Sequence, residues 1–456
     1  RVKVLGSNTY LYTANFYDGK SRIIQSQSTN YSGGTDIITN QYVWNGDVLL
    51  SINKHEKSGA NTQSFVQLTR ITYDDLFRPV KTEKKVSHSK VNGGTVPSTW
   101  TIQSELEYNA LGLLSKKKLG SGLDSLQYDY NIRGWMMGMN RSYVKDTTST
   151  AHWFGFDLGY DKTSFTVNGT SHHYTAAQYN GNINGTIWRS TGDDILRKYD
   201  FTYDAANRIT EANYNQLNSN NFSKAAGIDF SLSGMIYDGN GNILSMSQKG
   251  WKLGGSITID SLTYSYYNCS NRLRKVTDGV ITDNKLGDFY NGTSGEYDDY
   301  NYDFNGNLQT DYNKDMDGLN YNYLNQPIEL MIAGKGYIYY TYDATGIRLK
   351  KEIADDMTSQ TSTILYLSGN VYRNDTLQYM LLGEGRARIK ADSSKIVYDY
   401  FIKDHLGNVR MVLTDEARTD SYPAATLESN TISTERLYYG SVDTGRVDGS
   451  EVSEYP

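Results

Sequence analysis

An all-β fold built from consecutive hairpins is predicted by three observations. A tyrosine is followed four positions later by glycine or asparagine at Tyr42/Gly46, Tyr108/Gly112, Tyr203/Asn207, Tyr237/Gly241, Tyr267/Asn271, Tyr302/Gly306 and Tyr342/Gly346. Strand-like alternation flanks these units, with almost nothing of helical period between them. Tyrosine outnumbers phenylalanine 40 to 12 and only 5 prolines occur, which suits a sheet wet on much of both faces better than a closed oily core.

Each unit reads as strand, turn, strand. In "LTYSYYNCSNRLRKVTD" the run Tyr264 to Tyr267 is aromatic, Asn268 to Asn271 supply turn chemistry, and Arg272 to Val276 resumes alternation. The segments "YDGNGNILSM" from Tyr237, "YDFNGNLQTD" from Tyr302 and "YDATGIRLKK" from Tyr342 repeat the form. Glycine or asparagine falls where the backbone needs positive φ. Tyrosine suits the strand because its ring packs on a pleated face while its hydroxyl stays wet.

A repeat array grows without forming separate cores, so 456 residues predict one extended array rather than several globules. Aromatics at 13% argue against disorder. A net charge of −6 with scattered Lys and Arg lacks the basic stripe that nucleic acid requires. The single Cys269 excludes an intrachain disulfide framework and reads as a small turn residue. No apolar run is long enough for a membrane-spanning helix.

Three regions are expected. Residues 1–200 carry degenerate repeats with longer loops, and Lys81 to Thr99 and Asp161 to Ser171 read as polar insertions. Residues 201–414 carry regular units, at intervals of 34, 30, 35 and 40 residues from Tyr203 to Tyr342. Residues 415–456 lack the tyrosine-turn signature and read as a connecting segment toward a further C-terminal region. "DSLQYDYN" and "SKAAGIDFSL" hint at helix but are short.

The YD units at Tyr203, Tyr237, Tyr302 and Tyr342, followed by "YFIKDHLGNVRMVLTD" from Tyr400, resemble the RHS/YD-repeat proteins of bacteria. Asp404-His405-Leu406-Gly407-Asn408-Val409-Arg410 is similar to the hallmark near the end of the RHS core, and "YNYLNQPIEL" and "YYGSVDTGRV" resemble its Bacteroidetes branch. The resemblance implies a long antiparallel sheet that coils into a hollow shell, a β-cage, around a variable C-terminal toxin. It also implies an extracellular place of work, a type IX secretion route, an outer-membrane secretion or surface complex, and an immunity protein as further partner. Many members cut themselves at an aspartate-proline motif; this chain has no Asp-Pro pair.

Other residues were weighed for chemistry. Asp404 beside His405 could do acid-base work, but a turn role fits better, with Gly407-Asn408 turning the chain and Arg410 pairing with a carboxylate of the next strand. Asn313, Asp315 and Asp317 resemble the first half of a calcium loop, yet the twelfth position is Leu324 where a glutamate is needed. His172-His173 lies in a polar stretch with no third ligand nearby. Trp135, Met136, Met137 and Met139 read as core. The residues predict no cofactor and no catalytic group. Together with the repeats and the polar composition, the resemblance implies a non-enzymatic shell that houses or presents an effector beyond this chain, and secondarily an adhesive or glycan-binding surface using the outer face of the sheet.

Overall fold

The computed structural model describes residues 1–252, 254–280, 289–291, 298–392 and 395–416. Residues 1–415 form one compact unit. Within it, nearly every element is an antiparallel strand joined to its sequence neighbour. A long ladder runs from Thr13–Tyr17 to Leu273–Asp278, and a twelve-stranded sheet from Tyr300–Tyr302 to Val409–Thr414. The strand Arg197–Tyr203 crosses position 200 without interrupting the ladder.

The two sheets are stitched together edgewise. The Asp299 amide donates to the Arg274 carbonyl at 2.9 Å, the Val276 amide donates to Asp299 Oδ2, and the Tyr267 hydroxyl donates to the Tyr300 carbonyl at 2.7 Å. The N-terminal segment joins the second sheet: Val4, 1% exposed, bridges to Asp343, and the Leu5 amide donates to the Tyr342 carbonyl.

Curvature follows from a defect repeated at one place in the unit. Pairing register shifts by one residue at Phe16/Tyr17, Gln41/Tyr42, Thr72/Tyr73, Thr202/Tyr203, Ile236/Tyr237, Ser265/Tyr266, Asn301/Tyr302, Asn320/Tyr321 and Thr341/Tyr342. Each shift is a β-bulge beside the turn. A bulge bends its strand and sharpens the right-handed twist, so bulges at the same end of successive hairpins accumulate into a bend of the whole sheet.

The bend brings the last strands onto the first ladder. Leu119, Met139, Phe156 and Leu158 pack with Tyr372, Met380, Tyr400 and Ile402 in one core, all at most 3% exposed. Trp135, Met136 and Met137 pack against it half-buried, which places the predicted apolar cluster at this seam. Elsewhere the strands are mostly half-buried, as in Leu232–Tyr237, matching the polar composition.

A departure from the repeat sits at residues 141–174. The α-helix is Arg141–Lys145, whereas the sequence hinted at helix in "DSLQYDYN", which is instead the strand Asp124–Tyr130. Its apolar residues alternate with polar ones at the strand period, and pairing on both sides settles the choice. The second hint, "SKAAGIDFSL", forms no helix either. The insertion read at Asp161 to Ser171 is a hairpin, Ser164–Val167 paired with Thr170–His173. That read at Lys81 to Thr99 begins as the strand Pro79–His88 before it becomes a loop.

Candidate functional site

The repeated structural device is a clamped turn. In the Tyr203 unit the Asn207 amide donates to the Asp204 carbonyl at 3.0 Å, and Asn207 takes φ 63°, a type I turn closed by a left-handed residue. Asp204 Oδ1 accepts from the amides of Ala206 and Arg208, each at 2.9 Å, and Oδ2 accepts from Arg208 Nε at 2.7 Å. The Arg208 amide and guanidinium hold the Asp204 carboxyl below its ordinary range. Aspartate is therefore the residue of choice after the tyrosine: its short carboxylate spans both amides and the arginine at once.

Neighbouring clamps are coupled. Arg208 lies 4.4 Å from the centre of the Tyr237 ring, and the Tyr237 hydroxyl donates to the Ile209 carbonyl at 2.6 Å. The same relation joins Arg22 to Tyr42 and Arg78 to Tyr108. Tyr203 donates to Ile183, Tyr73 to Val48, and Tyr321 to Leu308. The repeat tyrosine is thus a tie to the previous hairpin. Desolvation pushes its pKa above the ordinary value at Tyr203, Tyr237, Tyr302 and Tyr342, so the hydroxyl keeps its proton further into alkaline conditions than a free tyrosine does.

Asp238 and Asp303 replace the arginine by Asn242 and Asn307, whose amides reach the same carboxylate oxygen. Gly241, Gly306 and Gly346 hold the left-handed position with φ between 86° and 90°. The unit assigned to Tyr267/Asn271 is built differently. Tyr266 makes the tie, donating to the Ile243 carbonyl, and Cys269, at φ 55°, is the left-handed residue rather than Asn271. The turn is one residue longer, with the Tyr267 amide bonded to the Arg272 carbonyl, so Tyr267 stands where aspartate stands elsewhere. Asn271 accepts from Asn240 and Asn242 of the adjacent turn.

The segment Asp404 to Arg410 is another copy of this turn, with Lys403 in place of tyrosine. Asp404 Oδ1 accepts from the Leu406 and Asn408 amides at 2.9 Å, Oδ2 accepts from Arg410 Nε at 2.7 Å, and Gly407 has φ 85°. Arg410 therefore pairs with the aspartate of its own turn and not with the next strand. Partial burial opposes ionisation of Asp404, but the bonds from Asn408 and Arg410 outweigh it and lower its pKa. His405 does not face Asp404 as a catalytic pair; its ring lies 5.7 Å from that of Phe156 across the seam. Leu406 is exposed at the tip, and Val409 and Arg410 open the last strand.

The seam holds a buried polar network. Lys57, 1% exposed, pairs with Asp375 at 2.7 Å. His55 Nδ1 contacts Asp36 Oδ1, Ser368 Oγ donates to Asp36 Oδ2 at 2.7 Å, and the His55 ring stacks on Phe65 and Tyr372. Burial lowers the pKa of the adjacent His88 to about 4. Further along, Lys117 pairs with Glu384, and the Tyr400 hydroxyl donates to the Ile102 carbonyl. The ties of Lys57 to Asp375, Asp36 to Ser368, Lys117 to Glu384 and Ile102 to Tyr400 carried no signal in sequence, because the partners lie hundreds of positions apart.

Asn313, Asp315 and Asp317 are held apart. Asn313 donates to Asp299, Asp315 pairs with Lys335 at 3.5 Å, and Asp317 is exposed on the strand Met316–Tyr321. His172 packs between Phe165 and Phe222, and His173 ends the inserted hairpin. Among the described residues, no group of three or more His, Cys, Asp or Glu could hold a metal ion, and no helix is long and apolar enough to cross a membrane.

No protein-family model and no curated protein matches the sequence. Among solved structures, the Photorhabdus luminescens Tc holotoxin pore, in a form mutated in TccC3, is similar with a TM-score of 0.52 at 12% identity. The match covers 89% of this chain and 22% of that one. At this identity the likeness is one of fold, an all-β architecture of long antiparallel sheets.

Proposed function

We propose that this chain is the wall of a non-enzymatic RHS-type shell, of the Bacteroidetes branch, on a secreted or cell-surface protein. In this reading the shell encloses or presents a C-terminal effector encoded beyond residue 456, with an immunity protein and an outer-membrane complex as further partners. The carrying observation is the seam: a sheet bent by its bulges has its last strands fastened to its first by Lys57–Asp375, Lys117–Glu384 and a shared core. A bent sheet whose last strands are fastened to its first can surround a space, which makes containment possible. Likeness to a structure named as a holotoxin pore is in keeping with an effector partner. The test is protease protection in the protein carried past residue 456. Downstream polypeptide should resist digestion until the wall is cut, with density inside the wall in a cryo-electron map. Immediate digestion, or a compact particle with no internal void, refutes the shell.

Adhesion is the second reading, and one observation favours it. Hairpin tips carry large exposed apolar residues, among them Trp44, Leu76, Leu111, Ile132, Phe304 and Tyr323, each at least 71% exposed. Retained cell binding by the 456-residue chain alone, lost on changing these tips to serine, would favour adhesion over containment.

A further inference from the structure

The insertion at residues 141–174 has its own small core, in which Tyr143, Val144, Phe165, Val167 and Tyr174 pack on Ile187 and Leu196. Between insertion and sheet lies a cleft of about 530 Å³. On its wall Asp157 is paired with Arg141 and, at 2.8 Å, with Lys145, so two cations meet one carboxylate. Lys162 stands exposed in the lining, and the Phe165 ring lies 4.6 Å from that of Tyr174.

Tyr174 is the informative residue. Its ring lies over the paired glycines Gly159 and Gly185, where an added Cβ would sit 2.6 Å and 2.2 Å from ring atoms. That seat buries the side chain to 4% exposure and leaves its hydroxyl with no hydrogen-bond partner. The hydroxyl feels the charges of Asp157 and Arg141, both of which line the cleft. A buried phenol without a partner is costly unless something else supplies one.

We infer that this cleft binds a sugar bearing a carboxylate, of the uronic-acid class, with its carboxylate toward Arg141, Lys145 and Lys162 and its hydroxyls toward Asp157 and Tyr174. The mixed lining distinguishes this ligand from a simple anion. A phosphate brings chiefly acceptor oxygens to a wall that already presents the Asp157 carboxylate, whereas a uronic acid brings several hydroxyl donors for Asp157 together with an anion for the cations. Phe165 lends an apolar edge to the lining, and the volume falls within the range of small-ligand sites.

The test is calorimetric titration of the full 456-residue chain with digalacturonic acid, with lactose and inorganic phosphate as controls. Saturable binding of the acidic disaccharide alone is expected. Tyr174→Phe, which keeps the ring, should bind about tenfold more weakly, one hydrogen bond being worth roughly that factor. Surface Lys162→Gln should also weaken binding while leaving the melting temperature unchanged, which separates recognition from folding. Absence of saturable heat, equal binding of lactose or phosphate, or unaltered affinity in both variants overturns the proposal.

Discussion

Lys57 and Asp375 form a 2.7 Å ion pair across the seam in which the ammonium is almost wholly buried while the carboxylate remains 39% exposed. Lys57 also donates to the Ala60 carbonyl at 2.5 Å. The asymmetry makes the two partners unequal. Asp375→Ala strands a buried cation and is expected to cost about 2–3 kcal/mol, at or below the foot of the roughly 3–5 kcal/mol range for broken buried pairs because water reaches this one. Lys57→Met leaves a carboxylate that solvent can hydrate and should cost less. Urea midpoints of the two variants check the order.

The turn at Asp404 should depend on its carboxylate more than on its histidine. Asp404→Ala removes two amide bonds and the Arg410 pair, an expected loss of about 2 kcal/mol. Asp404→Asn keeps acceptors for the Leu406 and Asn408 amides and should lose less, as Asn109, Asn131 and Asn322 make the same two amide bonds at their own turns. Hydrogen exchange at the Leu406 and Asn408 amides reads this directly.

Tyrosine ties should be separable into hydroxyl and ring. Tyr237→Phe loses the bond to the Ile209 carbonyl, for about 1 kcal/mol, and retains the ring beneath Arg208. Tyr237→Leu loses the cation–π contact as well and should be the less stable of the two. Thermal denaturation of both variants beside the parent provides the comparison.

Acid should weaken the wall in two windows. His88 has a folded pKa of about 4, below its ordinary 6.5, so the unfolded chain takes up its proton first. Its contribution is complete above the unfolded value and declines as pH falls from about 6.5 to about 4. The clamp aspartates Asp74, Asp204, Asp238, Asp303 and Asp404 have lowered pKa values. Their contribution is present above the unfolded carboxylate value and is lost below it, as pH falls through the folded ones. Melting temperatures at pH 7, 5 and 3 should show both losses. His88→Gln should reduce the dependence between pH 7 and 5, to which His172 and His405 with their lowered pKa values also contribute, and leave the more acidic one.

Gly159→Ala should unseat the insertion. The added Cβ would lie 2.1 Å from Asn184 Oδ1 and 2.6 Å from the Tyr174 ring, distances that force movement. Proteolysis is expected to begin within residues 160–175 of this variant and not of the parent.

Hairpins, turn positions and the all-β class were legible in the sequence because they depend on local chemistry, a tyrosine for the pleat and a glycine or asparagine for positive φ, whereas the aspartate that holds the turn amides was seen only in the structure. The misplaced unit at Tyr267 shows the limit. One extra loop residue moves the tie to Tyr266, and spacing alone does not reveal loop length when tyrosines are adjacent. The bulges were invisible for a related reason, since a register shift is a relation between two strands and not a property of either.

The sequence by itself determined that this protein is a repeated array of hairpins, polar on much of both faces, with a glycine or asparagine in each turn. Only the tertiary structure decided that the wall meets itself, with Lys57 on Asp375 and His405 beside Phe156, and that an insertion opens a cleft beneath Tyr174. The physical reason is range. Turn hydrogen bonds act across four residues and leave a local pattern, whereas the seam arises from small bends summed over many strands, and no single residue records that sum.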